Sequence, residues 1–386
     1  MISRRTFLAG CLPAALTACS TSEIVRTLEA AARGGSLSGA VRNVATNKAT
    51  SWARNPKTLV RDFERLDEFA KKFLGDVVTV WGEENAQTPQ KKVFVKYSDN
   101  YKSRGIVDFD KALVRVETLV PSHLKDAIVM TVLSPDDPTN VDLFSDKSVK
   151  LGGVPFLYEQ VVDQDGKAIR WAWRANRFAD YLIKTQKKTQ TIKLDANTTA
   201  TKTYVEFPLA RVHNATRQNR YSPLVNRYAA QYGIERALVY AIIKTESNFN
   251  PYAVSWVPAY GLMQIVPTTA GRDAYQLIHK RAGTPTRDYL FNAENNIRMG
   301  CAYLYILQNR YLANVTNPTS RHYCVIAAYN GGAGNVLKSF HSNRTQAFAE
   351  INRSSPTAVY NRLKAKMPTE SQRYLDKVLH AKRDYS

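Results

Sequence analysis

The stretch ALVYAIIKTESNFNPYA (residues 237–253) decides how the second half of this chain is read. Leu238, Ile242 and Glu246 stand four apart, on one face of a helix that Pro251 must end. A carboxyl therefore falls on an apolar stripe, at a helix C-terminus where the dipole disfavours negative charge. The 26 residues that follow, 247–272, contain no Asp or Glu. Such burial disfavours the charged form of an acid, which is what a proton donor needs. The plainer reading of Glu246 is an ion pair with Lys244 or Arg236 on the same helix.

Outward from this helix the pattern stays helical. SPLVNRYAAQYG (222–233) predicts a helix capped by Ser222, with Pro223 in its first turn and Gly233 as its stop. AENNIRMGCAYLYILQNRYL (293–312) and SRHYCVIAAYNGG (320–332) continue the series, so residues 209–386 are expected to form an all-α domain. Residues 58–208 read differently. Helices are predicted at 59–74 and at 122–133, the latter capped by Ser122, and strands at 77–82, 92–97, 105–110, 112–120 and 155–162, with a turn at 163–168. Helices mixed with sequence-adjacent strands argue for an α+β domain with a largely antiparallel sheet.

The N-terminus carries Arg4 and Arg5, a short apolar run, and small residues before Cys19. This is the pattern of an export signal over residues 1–18. LTAC (16–19) resembles a lipobox, with Cys19 as the lipidated residue, and SRRTFL (3–8) resembles a twin-arginine signal. Residues 19–57 read as anchor and linker.

The formal charge is +21, of which Arg4 and Arg5 supply two, leaving about +19 after residue 18. That balance calls for an anionic partner. With an export signal in place, peptidoglycan carboxylates and anionic lipid head groups are expected rather than nucleic acid. The six histidines are scattered and no His/Cys group has metal-ligand spacing, so neither metal nor cofactor is expected. Cys301 and Cys324 either pair or stay as two buried thiols.

Four strings occur in order in the helical half: ESNFNP (246–251), GLMQ (261–264), AAYNGGAG (327–334) and ESQRYL (370–375). Together they resemble the lysozyme-like catalytic domain of lytic murein transglycosylases. FVKYSDNYKSRGIVDFD (94–110), LSPDDPTNVDLFSDK (133–147), PFLYEQVVDQDGKAIRW (155–171) and RFADYL (177–182) resemble the first domain of the membrane-bound C subfamily. The resemblance covers the chain from about residue 93 to its end. It implies non-hydrolytic cleavage of the MurNAc–GlcNAc bond in peptidoglycan glycan strands, leaving 1,6-anhydromuramoyl ends.

Most glycosidases need two carboxylates. Here the resemblance implies that the sugar's own 6-hydroxyl attacks, so one group, Glu246, serves as acid and then as base. Ser255 is implied to hold that carboxyl, Gln264 to bond substrate, and Met263 to pack under a sugar. Tyr329 is implied to approach Glu246, Asn330 to bond a sugar substituent, and Tyr374 to line the cleft. Each has a plainer reading: a turn serine, a core methionine, a helix C-cap asparagine, one tyrosine among 21. Two alternatives stand beside the transglycosylase: a non-catalytic peptidoglycan-binding scaffold, and a hydrolase recruiting Asp273, Asp288 or an acid of the first domain.

Overall fold

In the computed structural model, Phe73 and residues 75–255 and 259–386 are described. The signal segment, Cys19, the linker and nearly all of the helix expected at 59–74 lie outside them. The chain divides into two compact units, residues 1–86 and 87–386. Of the first, the main described element is helix α1 (Gly75–Trp81). A strand was expected at 77–82 because Val77, Val78, Thr79 and Val80 are β-branched. Instead Val77 and Trp81, one helical turn apart, form the buried side of α1, so a helical period overrides the local β preference.

The second unit begins with a five-stranded sheet: β1 (Val93–Ser98), β2 (Ser103–Asp108), β3 (Leu113–Thr118), β4 (Lys188–Lys193) and β5 (Thr199–Pro208). Every pair is antiparallel, as the sequence pattern predicts, and the order is β1-β2-β3-β5-β4, with β4 and β5 lying where no strand was expected. Helices α2 (Leu124–Leu133) and α3 (Ala172–Gln186) belong to the same core, where Phe94, Val107, Val114, Val116, Val205 and Phe207 meet Ile128, Phe178 and Leu182. Gly105 permits the close approach of α2, since a Cβ there would lie 2.0 Å from the Thr131 hydroxyl. Two local expectations fail. Ser122 sits in a 3-10 turn, Pro121–His123, and α2 starts without a side-chain cap. PFLYEQVV forms turns rather than a strand, with Val162 and Ala168 bridged around the Asp163 turn.

Charged residues fill other sheet positions. Arg104 and Glu117 are register partners on β2 and β3, and Nε and NH2 of Arg104 donate to Glu117 Oε2 at 2.8 and 2.5 Å. Lys202 on β5 donates to Glu117 Oε1 at 2.7 Å. All three are buried. Burial pushes the Glu117 pKa up, but Arg104 and Lys202 outweigh it and hold the carboxyl below its ordinary value.

From His213 the second unit is helical: α4 (His213–Tyr232), α5 (Arg236–Glu246), α6 (Arg272–His279), α7 (Arg287–Phe291), α8 (Ala293–Ile306), α9 (Pro318–Gly331), α10 (Ala333–Phe340), α11 (Arg344–Arg353), α12 (Pro356–Lys366) and α13 (Thr369–Lys382). Helix α5 is central, with 237–243 buried on every side. Gly233 ends α4 in the left-handed region, as expected. Ser222 is no cap, because α4 begins nine residues earlier and Pro223 lies inside it. Pro223 removes one backbone N–H from the helix, and the Ser222 hydroxyl bonds the Gln218 carbonyl at 3.4 Å and Tyr240 Oη at 2.7 Å. Cys301 and Cys324 are free, fully buried thiols, and burial pushes Cys324 up to about 12.

Sheet and helices are joined by buried contacts. Tyr252, past the end of α5, is buried in the sheet core, its ring 5.0 Å from Phe94 and 5.1 Å from Phe156, and its hydroxyl donates to the Pro135 carbonyl. Buried Arg217 donates to Gln160 Oε1 at 3.1 Å and to His213 Nδ1 at 2.9 Å, and lies 4.6 Å over the Phe109 ring. Burial, then the charges of Arg217 and Lys244, lower the His213 pKa from 6.5 to about 4. Below pH 6.5 the unfolded chain therefore binds a proton the native state refuses, so stability should fall as pH drops from 6.5 to about 4. The total is about 3 kcal/mol. His213→Gln keeps an acceptor for Arg217 without titrating, and should flatten this part of the curve of Tm against pH.

Candidate active site

Glu246 is the last residue of α5 and is 4% exposed. The chain then turns through Asn248 and Phe249, both in the left-handed region (φ 49° and 60°). Asn tolerates that conformation, whereas for Phe it costs on the order of 1 kcal/mol and persists only because packing fixes it. The Phe249 ring is buried 6.5 Å from Tyr221 and 6.3 Å from Tyr240. The two asparagines of ESNFNP tie this turn to the sheet region. Asn248 Nδ2 donates to the Phe109 carbonyl and to Asp110 Oδ1, both at 3.0 Å, and Asn250 Nδ2 donates to the Lys91 carbonyl at 3.2 Å.

The partner of the Glu246 carboxyl is neither Lys244 nor Arg236. Lys91 Nζ, from the loop before β1 and 155 positions away in sequence, donates to Glu246 Oε2 at 2.8 Å. Lys244 instead donates to Asn248 Oδ1 at 2.8 Å. Burial lowers the Lys91 pKa, but the charge and hydrogen bond of Glu246 outweigh it and leave it raised. Sequence reasoning missed Lys91, and no local signal marks it: it is one of two adjacent lysines ahead of a strand.

Two tyrosines face the carboxyl. Burial, then the Glu246 carboxylate, holds the hydroxyls of Tyr329 on α9 and Tyr374 on α13 well above the ordinary tyrosine range. Tyr329 donates to the Met263 carbonyl at 2.9 Å, fastening α9 to the GLMQ loop. The Tyr374 hydroxyl is buried against the Glu246 carboxylate, whose charge and hydrogen bond both act on it. Glu370, exposed at the start of α13, adds its charge to both Lys91 and Tyr374.

The GLMQ loop is held by Asn296 of α8, a fully buried side chain the sequence reading passed over. Its Oδ1 accepts the Met263 N–H at 2.8 Å, and its Nδ2 donates to the carbonyls of Tyr260 and Leu290 at 2.8 and 2.7 Å. Gln264 has φ 50°, donates to the Gly261 carbonyl at 3.0 Å, and leaves Oε1 buried without a partner among the described residues. Met263 is fully buried against Gly300, a core position beneath the loop and not a surface for a sugar. Asn330 Oδ1 accepts from the Ser371 hydroxyl at 2.8 Å, which joins AAYNGG to ESQRYL. Gly331 makes that junction possible, since a Cβ there would stand 2.5 Å from Ser371 Oγ. Gly334, by contrast, faces open space. Ser255 Oγ accepts from the Ala259 N–H at 3.3 Å, at the edge of residues 256–258, which lie outside the described residues.

The acids considered as a second carboxylate are engaged elsewhere: Asp273 accepts from Tyr311 Oη at 2.8 Å, and Asp288 is an exposed partner of Arg287. The surface groove lined by Tyr323, Tyr360, Asp376, His380 and Arg383 includes none of the residues around Glu246. The arrangement at Glu246 is a single buried carboxyl with one ammonium and two high-pKa phenols, beside the GLMQ loop, which carries an unsatisfied amide oxygen on Gln264. It can exchange one proton in two directions.

Residues 223–352 match the family described as the transglycosylase SLT domain, which sets the class of the helical half. Residues 59–220 match the N-terminal domain of membrane-bound lytic murein transglycosylase C. Proteins named membrane-bound lytic murein transglycosylase C from Yersinia pestis (strain Pestoides F) and Yersinia pseudotuberculosis (serotype O:1b, strain IP 31758) are each 43% identical over 335 residues, spanning 85% of this chain and 92% of the relative. The chain belongs to the membrane-bound lytic murein transglycosylase C family. Among solved structures, the 70-kDa soluble lytic transglycosylase of Escherichia coli is 27% identical over 42% of this chain and 23% of its own, with a TM-score of 0.33.

Proposed function

We propose that the protein cleaves the MurNAc–GlcNAc bond of peptidoglycan without water, leaving 1,6-anhydromuramoyl ends, with Glu246 as acid and then base. Family membership supports the activity, and the observation that supports the role of Glu246 is its burial at the end of α5 beside two tyrosine hydroxyls and the Lys91 ammonium, with no second carboxylate following it within 26 residues. Protonated, it gives its proton to the glycosidic oxygen; ionised, it takes one from the attacking 6-hydroxyl. Gln264, whose buried Oε1 lacks a partner among the described residues, is assigned to substrate, Tyr374 to the lining of the cleft beside Glu246, and Asn330 to a sugar substituent. Tyr329 and the main chain of Met263 shape the floor, and Ser255 orients the carboxyl.

In this reading residues 58–208 form the accessory domain and 209–386 the catalytic one. Cys19 is lipidated after removal of residues 1–18, and Ser20 beside it favours the outer membrane. The name of the relatives includes "membrane-bound", and among the described residues no helix is long and apolar enough to cross a membrane. Incubation with purified sacculi tests the activity. Soluble muropeptides should accumulate with time, whereas a scaffolding protein would sediment with sacculi that stay intact.

A further inference from the structure

Among the described residues, exposed large apolar side chains gather within residues 162–181, where Val162, Trp171, Trp173 and Tyr181 all reach solvent. Trp171 and Trp173, at the start of α3, are each 58% exposed. Single exposed apolar residues are ordinary, whereas neighbouring indoles with arginines beside them mark a contact surface.

These indoles do not hang free. Arg174 lies 4.5 Å over the Trp173 ring, and its guanidinium is tied to the buried Asp163 carboxyl. That carboxyl is fixed in turn by the N–H groups of Asp165 and Lys167, at 3.0 and 2.9 Å. Arg170 lies 5.0 Å over the Trp171 ring and 5.8 Å over the ring of Tyr158, whose carbonyl accepts from Arg220 of α4 at 3.4 Å. A guanidinium stacked on each indole holds the ring in place and still leaves more than half of the residue open. Arg174 and Arg177 are matched by Asp163 and Asp165. Arg170 is exposed and has no carboxylate partner among the described residues, so its N–H donors face solvent.

We propose that Trp171, Trp173 and Arg170 form a second binding site for peptidoglycan, which shares no residue with the site at Glu246. The apolar C–H faces of sugars in a glycan strand pack on the indoles, and Arg170 donates to a carboxylate of a stem peptide. Rings already fixed in pose lose little freedom when such a rigid ligand binds. Anionic lipid is the other partner that the charge of +21 would suit. Bilayer recognition, however, draws on clusters of about 4–8 cations, and with Arg174 and Arg177 neutralised this patch keeps Arg170 and Lys167. Indoles at a membrane interface also need no fixed pose.

The choice of ligand rests on peptidoglycan being the substrate, and binding is measured without cleavage, so the two can fail separately. The full chain carrying Cys19→Ser, to remove the expected lipid, and Glu246→Gln, to keep sacculi intact, is sedimented with purified sacculi, and Tm is measured for each variant. Adding Trp171→Ala together with Trp173→Ala should raise the apparent Kd about 10-fold or more, because a polymer held at two sites is bound by avidity. Arg170→Gln should raise it less, by a difference that high salt removes. If the alanine pair lowers Tm, Trp171→Ala and Trp173→Ala are read singly, each with about half the effect in free energy, roughly 3-fold in Kd. A Kd for sacculi unchanged in folded tryptophan variants overturns the site. So does a loss confined to vesicles of phosphatidylethanolamine and phosphatidylglycerol, which would make the patch a membrane contact. Failure of the parent to release muropeptides, with the loss of sacculus binding still seen, would overturn the activity and leave the site standing.

Discussion

Glu246→Gln should reduce release of muropeptides from sacculi by about 10³-fold or more while leaving Tm nearly unchanged. General acid–base catalysis is worth roughly 10²–10⁴-fold, and in the proposed reaction one group performs both transfers, so its loss falls in the upper part of that range. Gln has the volume of Glu and its Oε1 can still accept from Lys91, so the turn through Asn248 and Phe249 and the contacts of Asn250 should persist. The variant should also still bind sacculi, since the tyrosines, Gln264 and Asn330 are untouched. A parallel loss of Tm would mean that Glu246 is chiefly a structural partner of Lys91.

Glu117→Gln should destabilise the protein by about 3–5 kcal/mol, the usual cost of leaving buried charge uncompensated. Two buried cations depend on this buried carboxylate, Arg104 through two hydrogen bonds and Lys202 through one, and the more exposed Arg115 adds an ion pair at 3.6 Å. Since Arg104 on β2, Glu117 on β3 and Lys202 on β5 belong to three neighbouring strands, the loss strikes the middle of the sheet. The pH dependence has a definite sign. With the folded pKa of Glu117 held below its ordinary 4.5, its contribution is present above that value and is lost as pH falls through the folded pKa. Urea unfolding at neutral pH measures the difference. A change under 1 kcal/mol would mean the network is solvated and not buried.

Three strands of the sheet, β1, β2 and β3, were legible as short runs rich in β-branched residues, whereas β4 and β5 were not; α5 was legible because apolar residues repeat at helical spacing up to Glu246. The start of α4 was not. Its buried face opens with His213, Arg217 and Tyr221, a period of four written partly in polar residues, which hydrophobic periodicity does not register. The β-branched run of α1 misled in the opposite way. At the site, the carboxyl and its two tyrosines could be named from the order of short strings. Lys91 and Asn296 could not, because what marks them is where the fold brings their side chains: an ammonium 2.8 Å from a carboxyl 155 residues away, and an amide bonding three backbone groups, of Tyr260, Met263 and Leu290. Met263 shows the limit of matching strings, since its main chain serves the site while its side chain is buried in the core.

The central claim is that one buried carboxyl cleaves the glycan with the sugar's own hydroxyl as nucleophile. Mass spectrometry of muropeptides released by the parent protein in ¹⁸O-labelled water tests it most directly. The expected products carry 1,6-anhydromuramoyl ends, one water lighter than reducing ends and free of label. Reducing ends carrying ¹⁸O would contradict it, because water would then be the nucleophile and a second base would have to act beside Glu246.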